Sequence, residues 1–415
     1  MSVTTRRMQD LTVHDHTLTV PLAWDEADDA RTIDIHASVV TPDGGEDRPY
    51  LLFLQGGPGY EAPHPFRAPS SPSWLDAALD HYRVVLLDQR GTGRSTPVDE
   101  GALELGTDAL AEYLTHFRAP AIVRDAEALR TELGAQTWSI LGQSFGGFTT
   151  LSYLSTDAGS IEHAYLTGGL SAIGRHPDEV YSFTYEKTRA ASERYYRRFP
   201  AHRDAVRRIA DLAAAGRLVL PDGEVVSVSR VRLLGSLLGS NDSWQTLWSL
   251  LETDPTGTAF RYDLAAALPF DGRNPLYSVL HESCYADGAT TRWSAERVLP
   301  ADFAADPTLL TGEHLSSEWF DTVPALRPWR DVAHRLAERE WPRLYDPAAL
   351  QASQARGATA IYLNDLYVPF EYAMETAALL PGIIPWVTSE HEHSGLRSGD
   401  VLSHLIDLAH GRRVR

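Results

Sequence analysis

The sequence predicts an α/β protein in which a mostly parallel sheet is interrupted by an inserted, mostly helical cap. Two observations carry this. In the first 170 residues, short apolar runs that stop at glycine turns alternate with helical segments, the pattern of strands joined by crossover helices. The strand pattern then fades over residues 171–343 and returns near residue 358, which divides the core between two pieces of chain. The expected organisation is a first core segment at 1–170, a helical cap at 171–343 and a second core segment at 344–415.

The elements follow in order. Residues 11–22 (LTVHDHTLTVPL) and 32–40 alternate apolar and polar, so both read as half-buried strands with a polar, acidic turn between them. YLLFLQ and YRVVLLDQ are continuous apolar runs that stop at Gly56 and close to Gly91. Such runs suit strands buried on both faces of a parallel sheet. A helix is expected from Pro120 to Gly134, opened by proline, apolar at helical spacing and closed by glycine. TWSILGQSFGGFTTLSYLST reads as strand, sharp turn and helix, and residues 161–169 as another strand. In the middle region YSFTYEKTRAASERYYRRF, HRDAVRRIADLAAAG, NDSWQTLWSLL and PWRDVAHRLAERE read as helices. Aromatics are dense there, with Trp244, Trp248, Trp293, Trp319, Trp329 and Trp341. Strands are expected again at 358–365 and in IIPWVTSE, and a final helix in GDVLSHLIDLAHG.

Composition narrows the function classes. Hydrophobic residues at 43% and charged residues at 22% exclude a disordered chain, a collagen and a disulfide scaffold. A formal net charge of −19 argues against nucleic acid or an anionic membrane surface as partner. Cys284 is the single cysteine, so no intrachain disulfide can form, and it reads as a buried small hydrophobe. The first residues carry no apolar core of a signal peptide, and no run of about 18 apolar residues occurs. A cytoplasmic protein is expected.

The chemistry concentrates in Gly142-Gln143-Ser144-Phe145-Gly146, a G-x-S-x-G followed by Gly147. Its serine sits between an apolar strand and a helix, where small neighbours allow a strained turn that projects the hydroxyl. Gln55-Gly56-Gly57-Pro58-Gly59 follows an earlier strand and suits an oxyanion hole, with the N–H groups of Gly57 and Phe145 as donors. The acid and base of such a site follow the serine in chain order. Asp365 ends a strand, with Glu371 as fallback, and SEHEHSGL offers His391 and His393. Alternate residues of an extended segment point opposite ways, and His393, followed by small residues, is the better placed. The expected roles are Ser144 as nucleophile, His393 as base and Asp365 as the group orienting it. The spacing of His391 and His393 makes a poor metal site, and no phosphate-binding loop occurs. No metal and no cofactor are expected.

Three segments together, QGGPG at 55–59, DQRGTGRS at 88–95 and GQSFGG at 142–147, resemble the proline iminopeptidases, serine exopeptidases of the α/β-hydrolase fold. The tail EHSGLR is similar to the longer bacterial branch of that family. The first motif usually reads H-G-G-P-G, and Gln55 departs from it. Asp88 and Arg90 read as an internal brace shaping the loop near the oxyanion strand. The resemblance implies release of N-terminal proline from short peptides. Action on other N-terminal residues, amides or small esters is the alternative. It also implies cap carboxylates that hold the substrate amine, with Glu282 in HESCYADG as first candidate and Glu186 in TYEKTR as second.

Overall fold

Nine strands form one sheet among the described residues of the structure, a computed structural model that describes residues 2–8, 10–66 and 74–414. The strands are β1 (Ser2–Met8), β2 (Leu11–Pro21), β3 (Thr32–Pro42), β4 (Tyr50–Leu54), β5 (Arg83–Asp88), β6 (Trp138–Gln143), β7 (Ile161–Thr167), β8 (Arg356–Tyr362) and β9 (Ile383–Thr388). Their order across the sheet is β1-β2-β3-β5-β4-β6-β7-β8-β9. The pairings β1–β2, β2–β3 and β3–β5 are antiparallel, and the remaining ones parallel.

Strand β1 has no counterpart in the sequence reading. SVTTRRM is exposed along nearly its whole length, so no apolar face marks it. It is held as an edge strand by backbone pairing to β2 and by Arg6 on Asp15 at 2.9 Å. Arginines on such an edge also discourage a further strand.

The central strands are buried on both faces, as their apolar runs require. On β4, Leu52 and Leu54 pack with the helices Ala119–Glu132 and Phe145–Thr156. Leu51 and Phe53 face the other way, toward the helices Trp74–Leu79 and Val401–Ala409. Each such leucine contributes roughly 1.5–3 kcal/mol by leaving water.

Between β7 and β8 the described chain forms helices and loops, with a single isolated bridge from Val219 to Val225. The first helix of this insertion, Pro177–Arg198, begins with proline, carries Asp178 and Glu179 in its first turn and Arg197 and Arg198 in its last. These choices complement the helix dipole. Trp319, Trp329 and Trp341 fill the interior of the insertion. Arg118 of the core pins it in place, donating to the carbonyls of Ser283 and Ala286 at 2.7 Å each.

Parallel strands run the same way, so their C-terminal ends share one edge. The loops after β4, β6, β8 and β9 therefore meet beneath the insertion. No helix among the described residues is long and apolar enough to cross a membrane.

Candidate active site

Ser144 sits between β6 and the helix Phe145–Thr156 at φ 55° and ψ −123°. A non-glycine residue there stores about 1–3 kcal/mol of backbone strain. The surroundings hold it: Ser144 N donates to Thr167 O at 3.1 Å, and its carbonyl accepts from Gly147 N at 2.7 Å. A Cβ on Gly146 would collide with the Leu54 carbonyl. The glycine is what lets the helix approach β4.

Asp365 lies in the turn just beyond β8, which ends at Tyr362, earlier than the run 358–365 suggested. Its Oδ1 accepts from the N–H groups of Tyr367 and Val368 at 2.9 and 3.0 Å. Its Oδ2 accepts from His393 Nδ1 at 2.8 Å, and His393 Nε2 accepts from Ser144 Oγ at 2.9 Å. The three expected residues thus form one hydrogen-bonded chain. Burial disfavours a charged His393 ring, but the Asp365 charge, its hydrogen bond and the charge of Glu313 outweigh this, and the imidazole pKa is raised above 6.5. His391 turns away toward Tyr362 and Gly399. Glu371 is exposed and pairs with Lys187 at 2.7 Å.

Near Ser144, the loop after β4 is tied down by Gln89 Nε2, which donates to Gln55 O at 3.0 Å. Neither the Gly57 nor the Phe145 N–H donates to an acceptor among the described residues. An apolar cavity beside both is lined by Pro58, Phe145, Phe148, Leu280, Cys284 and Tyr345. Asp88 and Arg90 do not pair with each other. Asp88 accepts from the N–H groups of Ala62 and Arg94 at 3.1 and 2.9 Å. Arg90 is buried and forks onto Asp125, at 2.7 and 2.5 Å. The brace is internal, but it links the β5 turn to the helix Ala119–Glu132.

The insertion corrects two expectations. Glu282 is not open to a ligand: it lies in the buried turn Glu282–Tyr285, and both its oxygens accept backbone N–H groups, from Ser294 at 3.0 Å and Ala295 at 2.9 Å. It satisfies the first two N–H groups of the short helix Ser294–Arg297. Burial pushes its carboxyl up to about 7, against the two donors. Glu186 lies on the exposed face of Pro177–Arg198, whose inward face carries Tyr181, Tyr185 and Thr188.

The insertion carboxylate whose charge reaches the His393 ring is Glu313, which sequence reasoning did not single out. Tyr277 OH donates to its Oε1 at 2.6 Å. Its backbone carbonyl accepts from His281 Nε2 at 3.1 Å. Its charge also acts on Tyr60, Tyr285, Tyr367 and His393. The only sequence signal is a glycine before an acid in TGEH, which is too common to select it.

A serine on a strand-to-helix elbow, with aspartate and histidine supplied from later strand ends, defines an α/β hydrolase. The family model described as the alpha/beta hydrolase fold matches residues 49–226. The chain is 40% identical over 414 residues to a proline iminopeptidase of Aeromonas sobria, covering 95% of each sequence. It is 29% identical over 388 residues to a proline iminopeptidase of Aspergillus aculeatus, covering 88% of this chain and 86% of that one. The chain belongs to the proline iminopeptidase family.

Proposed function

We propose that this protein is a serine exopeptidase that releases N-terminal proline from short peptides by acyl transfer. The carrying observation is that the Glu313 charge reaches the His393 ring and helps raise its pKa, the ring being hydrogen-bonded to Ser144 and Asp365. A carboxylate within reach of that ring pairs with a substrate imino cation, and the small cavity beside Phe145 has an apolar lining.

In this reading Ser144 Oγ attacks the prolyl carbonyl while His393 Nε2 takes its proton. The N–H groups of Gly57 and Phe145 receive the developing oxyanion. Positioned donors of this kind are each worth about a hundredfold or more in rate. His393 then protonates the leaving amine. Water, activated by the same ring, hydrolyses the acyl-enzyme and frees proline. Asp365 keeps Nδ1 protonated and stabilises the imidazolium. The reading also places the enzyme in the cytoplasm, which suits its lone buried cysteine.

The test is hydrolysis of prolyl, alanyl and leucyl arylamides, N-blocked prolyl arylamide and a short-chain ester, by wild type and Ser144→Ala. Best cleavage of free prolyl arylamide, refusal of the blocked form and loss of activity in Ser144→Ala are expected. Cleavage of the ester alone would overturn the substrate and keep the nucleophile.

A further inference from the structure

Arg397 is a cation at the site that the reaction above does not use. It lies in the helical turn Gly395–Ser398, which begins two residues after His393. Its Nη2 is 3.4 Å from Gln55 Oε1 and 3.5 Å from Gln143 Oε1. Gln143 precedes Ser144, and a Cβ built on Gly56 would stand 2.7 Å from Gln143 Oε1 and 3.1 Å from the Ser144 Cβ. The guanidinium therefore ends one side chain away from the nucleophile.

Arg397 has no ion pair among the described residues, although acids outnumber Lys and Arg by 56 to 37 in this chain. The residue is exposed, and no carboxylate among the described residues acts on its guanidinium. The two long bonds to neutral amides engage one nitrogen of a group with five N–H donors. The rest of the fork is available for bidentate recognition of a carboxylate.

Its side of the site is set by the chemistry. The leaving amine takes its proton from His393 Nε2, so the residue after proline departs past His393. Arg397 is one helical turn beyond that histidine and acts on its ring charge. Glu313, by contrast, belongs to the insertion and its tyrosines. The site thus offers a negative group to the amine end of a substrate and a positive group to its far end.

We propose that Arg397, oriented by Gln55 and Gln143, is the subsite for a carboxylate on the residue that leaves, which makes free proline dipeptides preferred substrates. This rests on the exopeptidase reading above. The carboxylate can be the C-terminus of a dipeptide or an acidic side chain after proline.

The experiment compares kcat/KM for Pro-Ala, Pro-Ala-amide and Pro-Asp-amide, with prolyl arylamide as reference, in wild type, Arg397→Gln and Arg397→Lys. Within each enzyme the ratio of acid to amide cancels any common loss from folding or from the histidine. Wild type is expected to favour Pro-Ala over its amide by about tenfold, the effect of one charge-assisted pair. Arg397→Gln brings the ratio close to one, and Arg397→Lys retains part of it. A Pro-Asp-amide preference that vanishes in Arg397→Gln assigns the side-chain source as well. A flat ratio in wild type, or a preference that survives in Arg397→Gln, overturns the subsite while prolyl arylamide cleavage upholds the exopeptidase. Failure on every prolyl substrate overturns both.

Discussion

Asn241 Oδ1 accepts the backbone N–H of Glu392 at 3.1 Å, one residue before His393. Asn241 Nδ2 donates to the Glu390 carbonyl at 2.9 Å, so one amide clamps the chain on both sides of His391, just ahead of His393. His393 N donates to Gly239 O at 2.8 Å, and Ser240 Oγ donates to Ser394 Oγ at the same distance. Trp244 Nε1 donates to the Glu392 carboxylate at 3.1 Å. The insertion thus holds the loop carrying the proposed base, as well as covering the site.

Asn241→Ala frees that loop without touching a reacting atom. Its kcat is expected to fall by about tenfold or more, because small misplacements of a catalytic group are costly, while KM changes little. Steady-state kinetics on prolyl arylamide checks this. A rise in KM with kcat unchanged would place Asn241 in substrate binding instead.

Asp365→Asn leaves the turn in place but removes the charge that favours protonated Nδ1. Activity is expected to drop about a thousandfold or more, with folding retained as judged by circular dichroism.

Glu313→Gln is expected to raise KM for free-amine substrates far more than for an ester. It also carries a signed pH effect. His393 must be neutral to accept the Ser144 proton, so kcat/KM falls on the acid side of its raised pKa. The Glu313 charge contributes to that rise, so Glu313→Gln moves the acid limb to lower pH. A pH profile of kcat/KM reads the shift.

Glu282→Ala is expected to lower stability rather than recognition, by about 2–4 kcal/mol, because two buried N–H groups lose their acceptor. Thermal melting measures it. The folded carboxyl titrates at about 7 against an ordinary 4.5, so between those values the folded chain keeps a proton that the unfolded chain releases. This stabilisation is complete below 4.5 and is lost as pH rises through about 7. The thermal midpoint of wild type is expected to fall over that range more than that of Glu282→Gln.

The legible parts of the site are the locally determined ones. Ser144 is marked by glycines that allow a strained turn, and Asp365 and His393 by their positions after apolar runs in the required chain order. The outward phase of Glu186 was also readable, since Tyr181, Thr184, Tyr185 and Thr188 mark the buried face of its helix. Glu282 was not readable, because its partners at Ser294 and Ala295 depend on how a loop returns. Strand β1 was hidden because both its faces are polar and only backbone pairing with β2 makes it a strand.

By itself the sequence determined the α/β core, the elbow and the serine, aspartate and histidine that converge on it. Their backbone settings follow from short-range sterics and from strand periodicity. Only the tertiary structure decided that Glu313, among 56 acids, brings its charge within reach of His393, and that Arg397 stands beside Gln55 and Gln143 with no ion pair among the described residues. Those relations join segments far apart in the chain, and the direction of a side chain there is set by packing that no local pattern records.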